Sequence, residues 1–256
     1  MNHILNTDGL SADGATLSDR SIVPSELTAK LIQVDAAMRR SLWRWELAAL
    51  TLLIAVFNLP LMTGEFSTRF IFHHEAVAAG EWWRVVTHPF VHVSLYHLTL
   101  DAAAFFLAYI ELKNWRPGSR LALLTGSAAG GLLGALAASP QVFTNGLCGL
   151  SGVAHGLTAI VSLELLCRPT DRTTSWTAIL CFIGVVAKSV IEAATGQVMF
   201  ASWHLGSLGT PIAACHAGGV LGALVTWSLL RERTTKGHMS GRDEHPSRRA
   251  KAFERM

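Results

Sequence analysis

Gly146-Leu147-Cys148-Gly149-Leu150-Ser151-Gly152-Val153-Ala154-His155-Gly156 is the stretch that decides how this chain is read. A serine flanked by glycines opens an apolar run, directly after the polar loop of residues 140–145. Glycine lacks a Cβ, so a second segment, or a developing oxyanion, can approach the backbone beside Ser151 closely. Taken alone, the pattern also describes small residues packing helices together in lipid, and for a single match that is the better reading. What lies before and after it shifts the balance.

Half of the 256 residues are hydrophobic and 15% are charged, against about 25% charged in an ordinary soluble domain. The deficit points to a membrane protein, and several runs approach the ~20 apolar residues that cross a bilayer. Six spans are predicted, at about residues 47–62, 90–110, 121–138, 146–166, 176–194 and 211–230, making an all-α polytopic membrane protein with its helices in residues 41–232. Residues 1–40 form a polar extension in which Leu27, Leu31, Val34 and Met38 recur at helical spacing, as an amphipathic surface helix or a short solvated one. Residues 233–256 are a charged tail, expected to be disordered. No short apolar segment follows the start, so no cleavable signal peptide is expected.

Basic residues at span ends fix the orientation. Arg39, Arg40, Arg44, Lys113, Arg116, Arg120, Arg168, Arg172, Arg231, Arg233 and Lys236 fall on one side, Arg69 and Arg84 on the other. The positive-inside rule puts both termini in the cytoplasm. The net charge of +3 is scattered at span edges and forms no basic face, so no nucleic-acid partner is expected. Cys148, Cys167, Cys181 and Cys215 show no metal-ligand spacing and read as buried small hydrophobes.

Spans two, four and six run from outside to inside in this topology. Counted along the predicted spans, Ser151 and His216 each lie about five residues in, roughly 8 Å below the outer surface, with His97 at a similar depth. Polar groups in such a layer are costly and need partners or water. A hydroxyl beside a neutral imidazole is the minimal pair for nucleophilic attack on a carbonyl. His97 and the backbone N–H of Ser151 are candidate oxyanion donors. Each histidine alone reads as a satisfied packing group; their joint depth does not.

Gly149-Leu150-Ser151-Gly152, the series His92, His97 and Asp101, the pair Trp83-Arg84, and His216 followed by Gly219 together resemble the rhomboid intramembrane serine proteases over about residues 47–230. The resemblance implies a six-helix bundle with a water-filled cavity open to the outer side. It implies Ser151 as nucleophile, His216 as general base, His97 as oxyanion donor, a Trp83-Arg84 loop partly in the outer leaflet, and no cofactor. Asp101 departs from the pattern, which has Asn there. An ionised carboxylate cannot donate a hydrogen bond, so Asp101 is either protonated or orients His97, and orientation is favoured. The run from Gly149 to Gly156 and the pair Lys188/Glu192 are similar to rhombosortases, relatives associated with C-terminal Gly-Gly sorting tails of exported bacterial proteins. That resemblance implies a bacterial inner membrane, with membrane-anchored proteins as partners. His92 and His155 are supporting candidates, and Lys188 and Glu192, spaced i, i+4, are expected to pair.

Two other readings stand beside this one. The first is a catalytically silent relative that binds transmembrane segments. The second is a metal site or transporter built on His92, His97, His155, His204 and His216, disfavoured because no HExxH motif is present.

Overall fold

The computed structural model describes residues 25–199, 203 and 205–243. Regular structure among them is helical, and the one β-type contact is an isolated antiparallel bridge between Phe72 and Leu147. Six long helices dominate: α1 (Ser25–Phe57), α2 (Leu95–Glu111), α3 (Pro117–Ala138), α4 (Ser151–Cys167), α5 (Arg172–Thr195) and α6 (Ala214–Asp243). The chain divides at Glu46 into two units. In the first, residues 25–46 are helical, with Val34 and Met38 exposed. The second holds everything described from Leu47 onward. The backbone of α6 continues helically to Asp243, through the start of the expected tail.

Leu95–Asn114, Pro117–Ala138 and Arg172–Thr195 are each long and apolar enough to cross a bilayer. The apolar α4 has 17 residues, about 26 Å at 1.5 Å per residue. The other two predicted spans lie inside longer helices, at residues 47–57 of α1 and 214–230 of α6. Large apolar side chains such as Leu107, Leu133, Leu180 and Leu221 are exposed on these helices, as lipid contact requires. The chain is an all-α polytopic integral membrane protein. The expectation of buried cysteines holds for Cys215 alone: Cys148 is half-buried, and Cys167 and Cys181 are exposed. An apolar run marks lipid-facing and core positions alike, because lipid is as apolar as the core.

Helix starts depart from the apolar runs in a consistent way. α2, α4 and α6 begin at residues 95, 151 and 214, each three to five residues later than hydropathy placed them. Before α2, Val91 is extended and Ser94 caps the helix, its Oγ accepting the His97 N–H at 3.0 Å. Before α4, Gly146 (φ +75°) and Gly149 (φ +105°) hold an extended segment. There Phe72 and Leu147 exchange N–H···O bonds of 2.9 and 3.0 Å, and the Gly149 N–H reaches His88 O at 3.1 Å. At the opposite end of α4, Asp171 caps α5 by accepting the Thr174 N–H at 2.8 Å, which holds its carboxyl below the usual range.

Between α1 and α2 the loop is stapled by Arg84. Its guanidinium is nearly buried and donates to Glu81 Oε2 (2.6 Å), Thr68 O (2.7 Å) and Ile71 O (2.9 Å). Loop carbonyls that no helix satisfies are thereby paired.

α6 packs most extensively on α3, and then on α4. The seam has almost no side chains. A Cβ built on Gly218 would lie 2.2 Å from Gly130 O, one on Gly222 2.1 Å from Gly126 O, and one on Gly219 2.0 Å from Gly152 O. Such contacts leave no room for a methyl, so Gly219→Ala is expected to destabilise by about 1–3 kcal/mol or more. Gly184, with open space around it in α5, should tolerate alanine and gain roughly 0.5–1 kcal/mol from helix propensity. Thermal unfolding in detergent micelles checks both, and equal effects at the two positions would refute the seam.

Candidate active site

Three helix N-termini carry the predicted residues. Ser151 is the first residue of α4, His216 the third of α6 and His97 the third of α2. All three stand in the first turn of their helices, and not a turn or more inside them as the apolar runs placed them. This matters chemically, because the first N–H groups of a helix have no intrahelical partner and point at whatever sits there.

Ser151, His216, His155, Lys188, His97 and Asp101 all line one cavity of about 740 Å³. Its rim includes Phe66 and Thr68 from the first loop and residues 207–212 before α6. Ser151 Oγ lies 3.8 Å from Cys215 Sγ, and no hydrogen bond joins it to His216 among the described residues. Gly152 sits against Cys215 O, at 2.9 Å from its would-be Cβ, which sets the start of α4 directly on the start of α6.

On one side of Ser151 lies a cluster contributed by α4, α5 and α6. Glu192 is fully buried, and its Oε2 accepts from His216 Nδ1 at 2.6 Å. Its Oε1 pairs with Lys188 Nζ at 2.7 Å and accepts the Met199 N–H at 2.8 Å. Lys188 Nζ also reaches His155 Nε2 at 3.0 Å, and His155 Nδ1 bonds to Ser151 O at 2.7 Å. The rings of His155 and His216 stack at 4.1 Å and 10°. The expected Lys188–Glu192 pair is present, and His155 and His216 complete it.

His155, Glu192 and His216 each offer a ligand atom within 4.8 Å of the others, enough for a cation by donor chemistry. Lys188 already places an ammonium between His155 Nε2 and Glu192 Oε1, so a metal would have to displace it. His204, part of the metal reading, lies outside the described residues.

On the other side sits Asp101, nearly buried, with Oδ2 3.2 Å from His97 Nε2 and 3.3 Å from His92 Nε2. These are ion-pair distances, without hydrogen-bond angles at Oδ2. His92 Nε2 is also 3.4 Å from the Leu150 N–H. One nitrogen cannot both accept from Leu150 and donate to Asp101. The hydrogen-bond geometry favours the Leu150 N–H as donor to His92 Nε2, which leaves Asp101 Oδ2 as a close charge neighbour. Gly149 lies against this group, its would-be Cβ 3.0 Å from Asp101 Oδ2 and from His97 Nε2. Asp101 thus adjoins His97 one turn away.

Sequence reasoning missed Asn58. This buried residue donates Nδ2–H to Ile54 O (2.7 Å) and Phe90 O (2.6 Å), while Oδ1 accepts the His92 N–H at 2.8 Å. It ties the end of α1 to the segment that presents His92. A lone Asn inside an apolar run was the available signal.

Comparison with known proteins gives one family. The rhomboid domain model matches residues 79–233, a span holding Ser151, His216 and every other side chain of the cavity clusters. No curated protein matches the chain. Members of that family are in general intramembrane serine proteases acting on membrane proteins, although some are inactive. With well over half of its length matched, the chain belongs to the rhomboid family.

Proposed function

We propose that this protein is an intramembrane serine endopeptidase that cuts a transmembrane segment of a membrane-anchored protein near the outer leaflet. The observation that carries this reading is that Ser151, His216 and His97 open onto one cavity from three helix N-termini. Ser151 Oγ attacks the scissile carbonyl, and its proton passes to His216 Nε2. The carbonyl electrons move to oxygen, facing the unpaired N–H groups at the start of α4, with His97 alongside. Collapse of that intermediate expels the amine, which takes the proton back from His216, and water then releases the acyl chain.

Ser151 Oγ lies 3.8 Å from Cys215 Sγ. Catalytic hydrogen bonds commonly close only when substrate arrives. The basic residues at one set of span ends support cytoplasmic termini, so the cavity faces outward. A substrate helix must unwind to present a carbonyl, which Gly makes easier by weakening the helix. C-terminal Gly-Gly sorting tails in a bacterial inner membrane fit that demand and the Lys188/Glu192 resemblance. The second reading, a silent binder of transmembrane segments, draws on the same Ser151–Cys215 contact.

A fluorophosphonate probe separates the two. Labelling of the purified protein should vanish in Ser151→Ala and fall at least about 10³-fold in His216→Ala. A folded wild-type protein that takes no label supports the silent binder.

Asp101→Asn should keep the labelling rate within about tenfold, because an amide can still hold His97 and gains a donor. Asp101→Leu should lose about 10²-fold or more, as it removes the group that orients an oxyanion donor. Complete loss in a well-folded Asp101→Asn would assign the carboxylate a charge-specific role instead.

A further inference from the structure

The geometry points to Glu192 as a positioning residue that, with Lys188 and Met199, fixes which nitrogen of His216 carries the proton. The inference rests on the protease reading and adds a third member to the Ser151–His216 pair.

Each proton in the cluster has one consistent place. An ammonium only donates and a carboxylate only accepts. Lys188 Nζ therefore donates to His155 Nε2 (3.0 Å) and to Glu192 Oε1 (2.7 Å). With Nε2 accepting, His155 carries its hydrogen on Nδ1, where it donates to Ser151 O at 2.7 Å. Glu192 Oε2 receives Nδ1–H of His216 at 2.6 Å, so the lone pair of His216 falls on Nε2. That is the nitrogen needed to take the Ser151 proton. When the proton arrives, His216 becomes a cation next to a fully buried anion. The groups facing His216 are Glu192 and Lys188 from α5, His155 and Ser151 from α4, and Cys215 beside it.

The backbone gives the array its direction. Oε1 of Glu192 is claimed by the Met199 N–H at 2.8 Å, which leaves Oε2 alone for His216. In Glu192→Gln, an amide at this position must offer its one oxygen to Met199 and Lys188, because both only donate. Its NH2 then faces His216 Nδ1 and forces the hydrogen to Nε2. That tautomer cannot accept a proton from Ser151. The stacked His155 ring and the carbonyl of Ser151 stay where they were.

The test uses full-length protein in micelles, the fluorophosphonate probe, a reference transmembrane substrate, and the variants Glu192→Gln and Lys188→Met/Glu192→Gln. Glu192→Gln is expected to slow Ser151 labelling and kcat by roughly 10²–10⁴-fold with KM little changed, as loss of the aspartate carboxylate does in serine proteases. The double variant removes both charges, so its unfolding temperature should recover while its rate stays low. A Glu192→Gln rate equal to wild type overturns the inference. So does a double variant that recovers rate and stability together, since burial of an unpaired ammonium would then explain the loss. Nitrogen-15 spectra of the histidines give a readout independent of turnover. They should place the His216 proton on Nδ1 in wild type and on Nε2 in the double variant. Should wild type prove inert to the probe, the protease reading fails, and the spectra alone decide the inference. An Nδ1 proton that does not depend on Glu192 overturns it, and one that does supports it.

Discussion

The contact of backbone on backbone between α6 and its two neighbours sets everything else. Gly219 lies three residues after His216, and its would-be Cβ falls 2.0 Å from Gly152 O, the residue after Ser151. Gly218 and Gly222 do the same against Gly130 and Gly126 of α3. In lipid there is no hydrophobic drive to bring helices together, so close packing of small residues has to supply it. Here the closest approach is placed at the very residues whose neighbours are Ser151 and His216. The separation of hydroxyl and imidazole is thus inherited from a steric limit and does not depend on long, adjustable side chains. Positioning to a fraction of an ångström is what such chemistry demands.

Buried charge is the second constraint. Glu192 is fully buried, and Asp101 and Arg84 nearly so, in a protein that offers little water to any of them. Removing such ions from water costs several kcal/mol each unless partners replace the lost hydration. Each is met by a different device. Arg84 uses loop carbonyls and Glu81, Glu192 uses one cation, one imidazole and one backbone N–H, and Asp101 uses two imidazoles. The Arg84 network serves architecture, holding the first loop in shape. The two carboxylates lie on opposite sides of Ser151, where partner chemistry and site chemistry cannot be separated.

Much of this was legible in the residues, and the gaps have physical causes. The apolar runs located all six long helices, since hydropathy and length are what lipid selects. They misplaced the starts of α2, α4 and α6, because Val91, Leu147 and Leu150 are as apolar in an extended segment as in a helix. The positive φ at Gly146 and Gly149 is invisible to a hydropathy profile. The i, i+4 spacing disclosed the Lys188–Glu192 pair. It could not disclose that Glu192 continues to His216, 24 residues away on another helix. Asn58 escaped for the same reason, as its partners at Phe90 and His92 come from a segment more than 30 residues on.

In the proposed reaction the two carboxylates would make unlike demands. Glu192 faces His216, so its charge would grow more useful if that imidazole took the Ser151 proton. Asp101 stands against Gly149, and an anion beside the oxyanion of the proposed reaction would oppose the new charge. Two imidazoles flank Asp101 Oδ2 at 3.2 and 3.3 Å, as neighbours without hydrogen-bond angles. In the proposed reaction His97, held beside that carboxylate, would share the oxyanion with the N–H groups opening α4. A helix that begins at Ser151, and not several residues earlier, is the arrangement that puts those groups within reach.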